Sequence, residues 1–278
     1  MPLRRSFVFP ALAAVIFCSL AIATLAPAPE APQHPPGNRW AQYEREMQDP
    51  INDPPDAWEP TEFAFARLRF RSPRDGYFRR FARWGTDANK GDRLFMQAIR
   101  RLTRVNVRSV EEIVDVDSDE IFNWPFLYAV GVGDWVFTDA QAARMRKYFE
   151  RGGFLMVDDF HNEREWASFM DGVHKIFPGR SAVEIPDDHP IFNIAFDTRH
   201  PIHVPGYQIT YGQEWERGGV GGHYRAIMDD NGKVQIAICF NMDLGDAWEW
   251  ADAPEYPEKY SGLAFRLGIN YVLYNMTH

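Results

Sequence analysis

Cysteine is nearly absent from this sequence, which has two in 278 residues. Cys18 lies in the apolar N-terminal segment, so the rest of the chain holds one thiol and cannot form an internal disulfide. That thiol, Cys239, lies in the apolar run 236–240 and is interpreted as a small buried residue, not as a nucleophile. The stability of the fold must therefore come from a packed core.

An excess of positive charge is also absent, since 30 Lys and Arg stand against 39 Asp and Glu, a formal net charge of −9. This balance argues against nucleic acid as a partner. Only one long apolar run occurs, at the N-terminus, which excludes a multi-span membrane protein. The sequence lacks Gly-x-Ser-x-Gly, His-Glu-x-x-His, phosphate-loop and dinucleotide motifs, so it indicates neither a nucleotide cofactor nor a reaction.

The N-terminus has the composition of an export signal. Arg4 and Arg5 precede an almost wholly apolar run over residues 7–25. Small residues near its end suit signal cleavage, and its length is close to the ~20 residues that cross a bilayer. Residues 1–26 are therefore expected to be either a signal peptide or a retained anchor in the inner membrane. Both predict an extracytoplasmic protein, periplasmic or secreted, that meets the membrane only through this segment.

Residues 27–61 are rich in proline and acidic side chains and poor in aliphatic ones. Such a composition cannot bury enough apolar surface to fold alone. We interpret this stretch as a spacer that precedes a folded domain over residues 62–278. Trp40, Tyr43 and Trp58 are candidates to dock on that domain.

Strand and helix patterns alternate from residue 63 onward. Period-two alternation and short apolar runs predict strands at 63–70, 105–107, 126–131 and 154–157. Apolar residues at helical spacing after Asp92, and the capping box of Thr138 and Gln141, predict helices between these strands. This order indicates an α/β domain with a mainly parallel sheet.

The C-terminal third has a different pattern. Two apolar runs, 224–228 and 234–240, flank an Asp-Asp-Asn-Gly turn and predict a β-hairpin. Residues 262–274 are apolar on nearly all sides, which predicts a buried closing helix.

Charge is segregated along the domain. Residues 63–108 contain 13 basic and three acidic residues, whereas the segments on either side are acidic. The basic stretch is either an anion-binding face or a set of partners for those acidic segments, and we favour the second interpretation. Within it, Arg71 and Arg74 are candidates to bind a phosphate or carboxylate.

Three polar residues, Asp158, Asp159 and His161, come directly after the predicted strand 154–157. Ligands of α/β folds bind at the carboxyl ends of parallel strands, so this position is typical of a functional site. A carboxylate beside an imidazole can act as a general base or bind a cation. The alternative is that one aspartate caps the following helix, expected over about residues 162–170.

A second oxygen-rich segment follows the last predicted strand and contains Asp243, Asp246 and Trp248. Such a loop can hold Ca²⁺ or Mg²⁺, and an indole ring can stack on a sugar. Its spacing matches no defined calcium loop, so a solvated acidic loop is the alternative. The histidines at 189, 200, 203 and 223 also occur in predicted loops, but their spacing alone does not make a zinc site.

Several of these segments, taken in order, resemble the bacterial domain-of-unknown-function family 4159. They are Phe-Ala-Arg-Leu at 65–68, Trp-Pro-Phe-Leu-Tyr at 124–128, Gly-Gly-Phe-Leu-Met-Val-Asp-Asp at 152–159, Phe-Pro at 177–178 and His-Pro-Ile-Phe at 189–192. The resemblance covers about residues 62–278. It implies the class I glutamine amidotransferase-like superfamily, with a flavodoxin-like three-layer α/β sandwich, and it implies no established reaction.

The nucleophile separates this sequence from the amidotransferases. Their cysteine lies on a strand-to-helix elbow beside a histidine, whereas strand 154–157 leads here to Asp158 and Asp159, and Cys239 lies elsewhere. Amidotransfer is therefore not expected.

Two functions stay open. The first is an exported module that binds a small-molecule ligand or an envelope protein on this scaffold. The second is a carboxylate-dependent hydrolase of an envelope sugar or peptide, with or without a divalent cation. In it Asp159 is the base, Asp158 and His161 are its supports, and Asp243 or Asp246 lies across the cleft. Convergence of these five residues in one place would favour the second.

Overall fold

A seven-stranded sheet in the order β2-β1-β3-β4-β7-β6-β5 forms the centre of the computed structural model, which describes residues 39–73, 75 and 81–278. The strands are β1 (Ala66–Arg69), β2 (Glu112–Asp115), β3 (Phe126–Val130), β4 (Phe154–Phe160), β5 (Val183–Glu184), β6 (His223–Met228) and β7 (Val234–Phe240). The first five in spatial order are parallel, and β6 pairs antiparallel with both β7 and β5. The sheet is therefore mainly parallel, as the resemblance implies.

Helices cover both faces of this sheet. They are α1 (Lys90–Leu102), α2 (Asp139–Glu150), α3 (Asn162–Ile176), α4 (Leu244–Glu249) and α5 (Glu258–Thr277). One buried apolar cluster joins α1, α4 and α5 to the sheet, and a second joins α2 and α3 to its other face. The domain is thus a three-layer, flavodoxin-like α/β sandwich.

Local sequence signals explain several of these elements. The predicted capping box is present, because Thr138 accepts a hydrogen bond from the Gln141 amide and Gln141 accepts one from the Thr138 amide. The predicted hairpin is also confirmed as β6 and β7, with Gly232 at φ +82° in the turn. The closing helix is confirmed as α5, most of which is buried.

Other boundaries differ from the predictions. The run 105–107 forms only an isolated bridge from Val107 to Phe63, and the edge strand β2 lies farther on. Helix α3 continues to Ile176 instead of residue 170, because Val173 and Ile176 extend its buried face. Strand β4 continues to Phe160, so both aspartates lie inside it.

The end of β4 carries a β-bulge. Its register with β7 shifts between Val157 and Phe160, and Asp159 takes a left-handed backbone with φ +49°. Leu155, Val157 and Phe160 all pack in the same core layer, which strict alternation would not allow. Asp158 points to the opposite layer, where the Tyr128 hydroxyl donates a hydrogen bond to it at 3.3 Å.

Residues 39–61 pack against the domain, although their composition predicts a spacer. Met47 and Ala57 in this segment are buried. Its ion pairs with the domain are Arg39–Glu112, Glu46–Arg69, Asp53–Arg93 and Asp56–Arg100. Residues 39–61 are therefore ordered against the domain, because its basic residues pair with acidic residues of a segment that could form no core by itself.

The predicted signal peptide or anchor, residues 1–26, lies outside the described residues. Within the part of the chain that the structure does describe, no helix has the length and apolarity needed to cross a membrane.

Candidate functional site

Acidic side chains from four parts of the chain meet at the carboxyl end of the parallel strands. They come from the turn before α1, the bulged end of β4, the long segment before β6, and the start of α4. The seven residues, called the carboxylate cluster, are Asp87, Asp158, Asp159, Glu216, Asp243, Asp246 and Glu249. Five are buried, and Glu216 and Asp246 are half-buried.

Asp158 holds α4 against the end of β4. Its Oδ2 accepts hydrogen bonds from the amides of Leu244 at 2.7 Å and Gly245 at 2.9 Å. Burial raises the pKa of Asp158 well above its usual range. The predicted capping of the helix after β4 is wrong: α3 begins after His161, whose side chain makes no capping bond, and Asp158 caps α4 instead.

Asp159 and His161 form a buried pair beside Arg217. The Asp159 Oδ1 lies 3.2 Å from Nε2 of His161 and 2.5 Å from an Arg217 nitrogen. Burial opposes the charge of Asp159, but Arg217 and His161 outweigh it and hold its pKa well below the usual range. Burial lowers the pKa of His161, so the imidazole is neutral near pH 7. Its Nδ1 is buried without a hydrogen-bond partner in the described residues.

Arg83 completes the positive charge on this side of the site. It is buried, with its guanidinium 3.1 Å from Glu165 and 3.4 Å from Asp134. Glu165 also accepts a hydrogen bond from the His161 amide at 2.9 Å. The acids Asp134, Asp159 and Glu165, with Arg83 and Arg217, are called the arginine-paired half of the site.

The other side of the site has acids without such partners. Asp87, Asp243, Asp246 and Glu249, called the unpaired half, form no ion pair with any residue in 39–73, 75 or 81–278. Two basic side chains that interact with these acids at longer range already form ion pairs with other aspartates. They are Arg67, 2.5 Å from Asp92, and Lys90, 3.1 Å from Asp252.

The short helix α4 gathers the acids of the unpaired half. Asp243 begins it by accepting a hydrogen bond from the Asp246 amide at 2.8 Å. Asp246 and Glu249 follow at a spacing of three, which places them on one side of the helix. The ligand atoms of Asp87, Asp246 and Glu249 all lie within 4.8 Å of one another.

Burial and mutual repulsion raise the pKa values of these acids, whereas the pKa of Asp159 is lowered. The pKa of Asp87 and of Asp243 is raised well above the usual range. Burial raises the pKa of Asp246 to about 6, although the Tyr207 amide donates a hydrogen bond to its Oδ2 at 2.6 Å and opposes this rise. Burial, and then repulsion by Asp246, raise the pKa of Glu249 to about 7. The pKa of Glu216 is likewise raised to about 7.

Two glycines leave room around the carboxyl groups. A Cβ at Gly245 would lie 2.2 Å from Oδ2 of Asp87, and one at Gly206 would lie 2.2 Å from Oε1 of Glu216 and 2.7 Å from Oδ2 of Asp246. Any side chain at either position would occupy the space in front of these oxygens.

Backbone strain is concentrated at the same edge of the sheet. Asp87, Asp159, Asn162 and Asn241 have φ values of +58°, +49°, +65° and +58°, a region that side-chain-bearing residues rarely adopt. Such conformations persist only where the surroundings enforce them, and they are typical of functional sites.

The structure brings together five of the predicted site residues, Asp158, Asp159, His161, Asp243 and Asp246. Arg71 is exposed beyond β1 and outside the cluster, and Arg74 lies outside the described residues. Trp248 is completely buried and stacks on Phe95 with ring centroids 4.3 Å apart. Its predicted role as a stacking surface for a ligand is therefore wrong.

The other predicted residues lie apart from the carboxylate cluster or at its margin. Cys239 is fully buried in β7, as predicted, and burial raises the pKa of its thiol well above the usual range. His203 lies near the site, with Nε2 at 3.0 Å from the Asn241 carbonyl oxygen. Carboxylates, and not this thiol, therefore lie at the carboxyl end of β4.

Sequence reasoning did not select Asp87, Glu216 or Arg217. Asp87 lies in a turn without a recognisable pattern, and tertiary packing alone brings it to α4. Glu216 and Arg217 precede two glycines, a loop signal that does not say which strand edge the loop covers.

The comparisons with known proteins identify the family. The family model for a domain of unknown function (DUF4159) matches residues 64–276, so the chain belongs to this family. No curated protein matches this chain. Membership confirms the resemblance found in the sequence and assigns no reaction.

Proposed function

We propose that this domain is a ligand-binding module whose site is the carboxylate cluster, and that its ligand is a cation or a molecule rich in hydrogen-bond donors. The observation that carries this proposal is the convergence of seven acids from four parts of the chain, five of them (Asp158 and the four acids of the unpaired half) without a basic partner among the described residues.

The chemistry of the unpaired half supports this ligand class. A buried carboxylate is stable only when it is protonated, paired or hydrogen-bonded. Three carboxyl oxygens, both of Asp87 and Oε2 of Glu249, are buried without a hydrogen-bond partner in the described chain. A ligand that carries positive charge or N–H and O–H donors would satisfy them.

A thermal-shift screen on the full chain tests the proposal. The probes are glucosamine, lysine and a short lysine-containing peptide in chelator, followed by divalent metal salts without chelator. We expect at least one probe to raise Tm in a saturable manner, and Asp243→Asn to weaken that response. Asp230→Asn is the matched control, since its side chain is 95% exposed and lies in the turn between β6 and β7, at the start of β7 and away from the carboxyl end of the parallel strands. A flat response to every probe would contradict the proposal.

A second candidate is the carboxylate-dependent hydrolase of an envelope sugar or peptide, and the Asp159–His161 pair favours it. Asp159 accepts from Nε2 of the neutral imidazole, which leaves Nδ1 to take a proton from water. In this proposal His161 is the base and Asp159 its support, the reverse of the roles that the sequence predicts. Hydrolysis of peptidoglycan fragments, followed as new reducing ends or new amines, tests it. Loss of turnover in His161→Gln with ligand binding retained would support the hydrolase, whereas the absence of turnover in the wild-type chain would refute it for these substrates.

The location follows from the N-terminal sequence alone. We propose that residues 1–26 direct the domain out of the cytoplasm, where a small molecule or an envelope protein is its partner; the apolar run 7–25 supports this. Protease added to intact spheroplasts should digest the domain. Digestion only after lysis would show that the domain is cytoplasmic.

A further inference from the structure

We infer that Asp87, Asp246 and Glu249 bind a divalent cation of the hard, oxygen-preferring type, such as Mg²⁺, Ca²⁺ or Mn²⁺. This inference rests on the proposed function, because it names the ligand of the unpaired half. It assigns a role to Asp87, which the sequence did not single out.

The distances suit such an ion. The three carboxylates each offer an oxygen within 4.8 Å of the other two. Calcium–oxygen bonds are about 2.4 Å long, so two ligands on opposite sides of the ion lie about 4.8 Å apart, and other ligand pairs lie closer. The donor set is oxygen only, which favours Mg²⁺, Ca²⁺ or Mn²⁺ over Zn²⁺.

Unsatisfied oxygens provide an independent reason. Asp87 is 1% exposed, and neither of its oxygens has a hydrogen-bond partner in residues 39–73, 75 and 81–278. Glu249 is also 1% exposed, and its Oε2 likewise has no hydrogen-bond partner among these residues. Buried polar atoms nearly always have partners, so these oxygens indicate a ligand that binds between them.

The neighbouring charges do not neutralise these acids. Asp87 is repelled by Asp246, Glu249 and Asp159, and Arg67 is the basic group that opposes this repulsion. Arg67 is already bound to Asp92 through two hydrogen bonds, of 2.8 and 2.5 Å. A divalent ion would supply the missing positive charge directly at the oxygens.

The backbone of α4 allows Asp87 to come close to it. A Cβ at Gly245 would lie 2.2 Å from Oδ2 of Asp87. A Cβ at Gly91 would lie 3.5 and 3.6 Å from the Cβ atoms of Asp87 and Glu249. Glycine at 245 thus keeps the space beside Asp87 free of side chains, and Asp246, half-buried, is the ligand nearest to solvent.

Two other groups of possible ligands occur at this edge, and each contains an aspartate that is already engaged. In the group of Asp159, His161 and Glu216, Asp159 is bonded to Arg217 at 2.5 Å. In the group of Glu216, Asp243 and Asp246, an Asp243 oxygen accepts the hydrogen bond that begins α4. Each of these two groups has one carboxyl oxygen without a partner among the described residues, Oε1 of Glu216, whereas the group that contains Asp87 has three.

Metal titration of the full chain tests the inference. The purified chain is treated with chelator, dialysed, and titrated calorimetrically with MgCl₂, CaCl₂ and MnCl₂, each alone. We expect one saturable site for at least one ion, and a Kd at least tenfold weaker in both Asp87→Asn and Glu249→Gln. Asp230→Asn, which removes one exposed carboxylate, should bind as the wild type does.

The outcomes separate this inference from the proposed function. If no metal binds the wild type, or if both variants bind it unchanged, the inference is wrong. If glucosamine or lysine binds in chelator while no metal does, the inference fails and the proposed function stands. Denaturant unfolding of each variant in chelator shows whether it is folded, and a folded Glu249→Gln chain is sufficient for the test if Asp87→Asn is not.

Discussion

The two halves of the site contain the same kinds of acid at similar depth, yet the pKa values of these acids are shifted in opposite directions. Asp159 is 2% exposed and Asp87 is 1% exposed. The pKa of Asp159 is held low beside Arg217, whereas the pKa of Asp87 is raised beside Asp246 and Glu249. Burial opposes the charge in both places, so the neighbours decide the sign of the shift.

This difference separates a self-sufficient part of the site from an incomplete one. The arginine-paired half contains its own counter-charges, so it is ordered without a ligand. The unpaired half has acids that must take up either protons or a cation. A protein that only needed a stable core would not place four such acids together.

Removal of Arg83 should have the largest effect on the arginine-paired half. Arg83→Met leaves the buried Glu165 without its 3.1 Å partner, so we expect a loss of about 3 kcal/mol in the free energy of unfolding. Urea denaturation measures this loss. The paired variant Arg83→Met with Glu165→Gln should recover part of it, and a single-variant loss below about 1 kcal/mol would contradict the comparison.

The dependence of stability on pH should differ between the halves. In chelator, raised pKa values near 6 for Asp246 and near 7 for Glu249 mean that the folded state binds more protons than the unfolded state above about pH 4. Stability should therefore fall by about 2 kcal/mol as pH rises from about 4 to about 7.

Asp159 should act in the opposite sense and in a lower pH range. Its lowered pKa contributes stability above the unfolded value, near pH 4, and that stability is lost as pH falls further. Urea titrations at a series of pH values in chelator measure both limbs. A steady rise in the free energy of unfolding from pH 4 to 7 would show that the pKa values of the acids in the unpaired half are not raised.

One substitution should have opposite signs in the two halves. In chelator at pH 7, Asp87→Asn removes a repelled charge and should raise the free energy of unfolding by about 1 kcal/mol. Asp159→Asn removes the partner of Arg217 and should lower it by about the same amount or more. Changes of the same sign, measured by urea denaturation, would remove the distinction between the halves.

An exposed arginine at the rim should matter least. Arg164 contacts Asp134 and Glu165 at 3.2 Å, but its side chain is 52% exposed. Solvent screens such pairs, so Arg164→Ala should change the free energy of unfolding by less than about 0.5 kcal/mol. A loss as large as that of Arg83→Met would mean that burial is not what makes the pairing effective.

The sequence predicts the parts of this site that depend on local order. Asp158, Asp159 and His161 follow an apolar run, so their place at the end of a strand can be read from periodicity. The turn before β7 and the capping box of α2 are local for the same reason. The favoured interpretation of the basic segment also agrees with the structure, since Arg69, Arg93 and Arg100 pair with acids that precede it in the chain.

The rest depends on contacts between distant parts of the chain. Asp87 reaches Glu249 across more than half of the sequence, and no pattern in either segment specifies that meeting. Residues 39–61 have too few aliphatic side chains to indicate packing, and it is contacts with distant parts of the domain, ion pairs and the burial of Met47 among them, that hold them. Trp248 looked like a surface aromatic because acidic residues flank it, but α4 turns it toward Phe95.

The bulge at the end of β4 offsets the alternation of side chains along this strand by one residue. It lets Phe160 return to the layer of Val157, and it frees Asp159 to face the rim instead of either interior layer. A chain shortened by one residue here would restore simple alternation. Phe160 would then reach the layer of Val157 without a bulge, but the end of the strand would carry one aspartate fewer. The bulge therefore lets one strand supply Asp158 to α4 and Asp159 to Arg217, and family members that retain it should retain both acids.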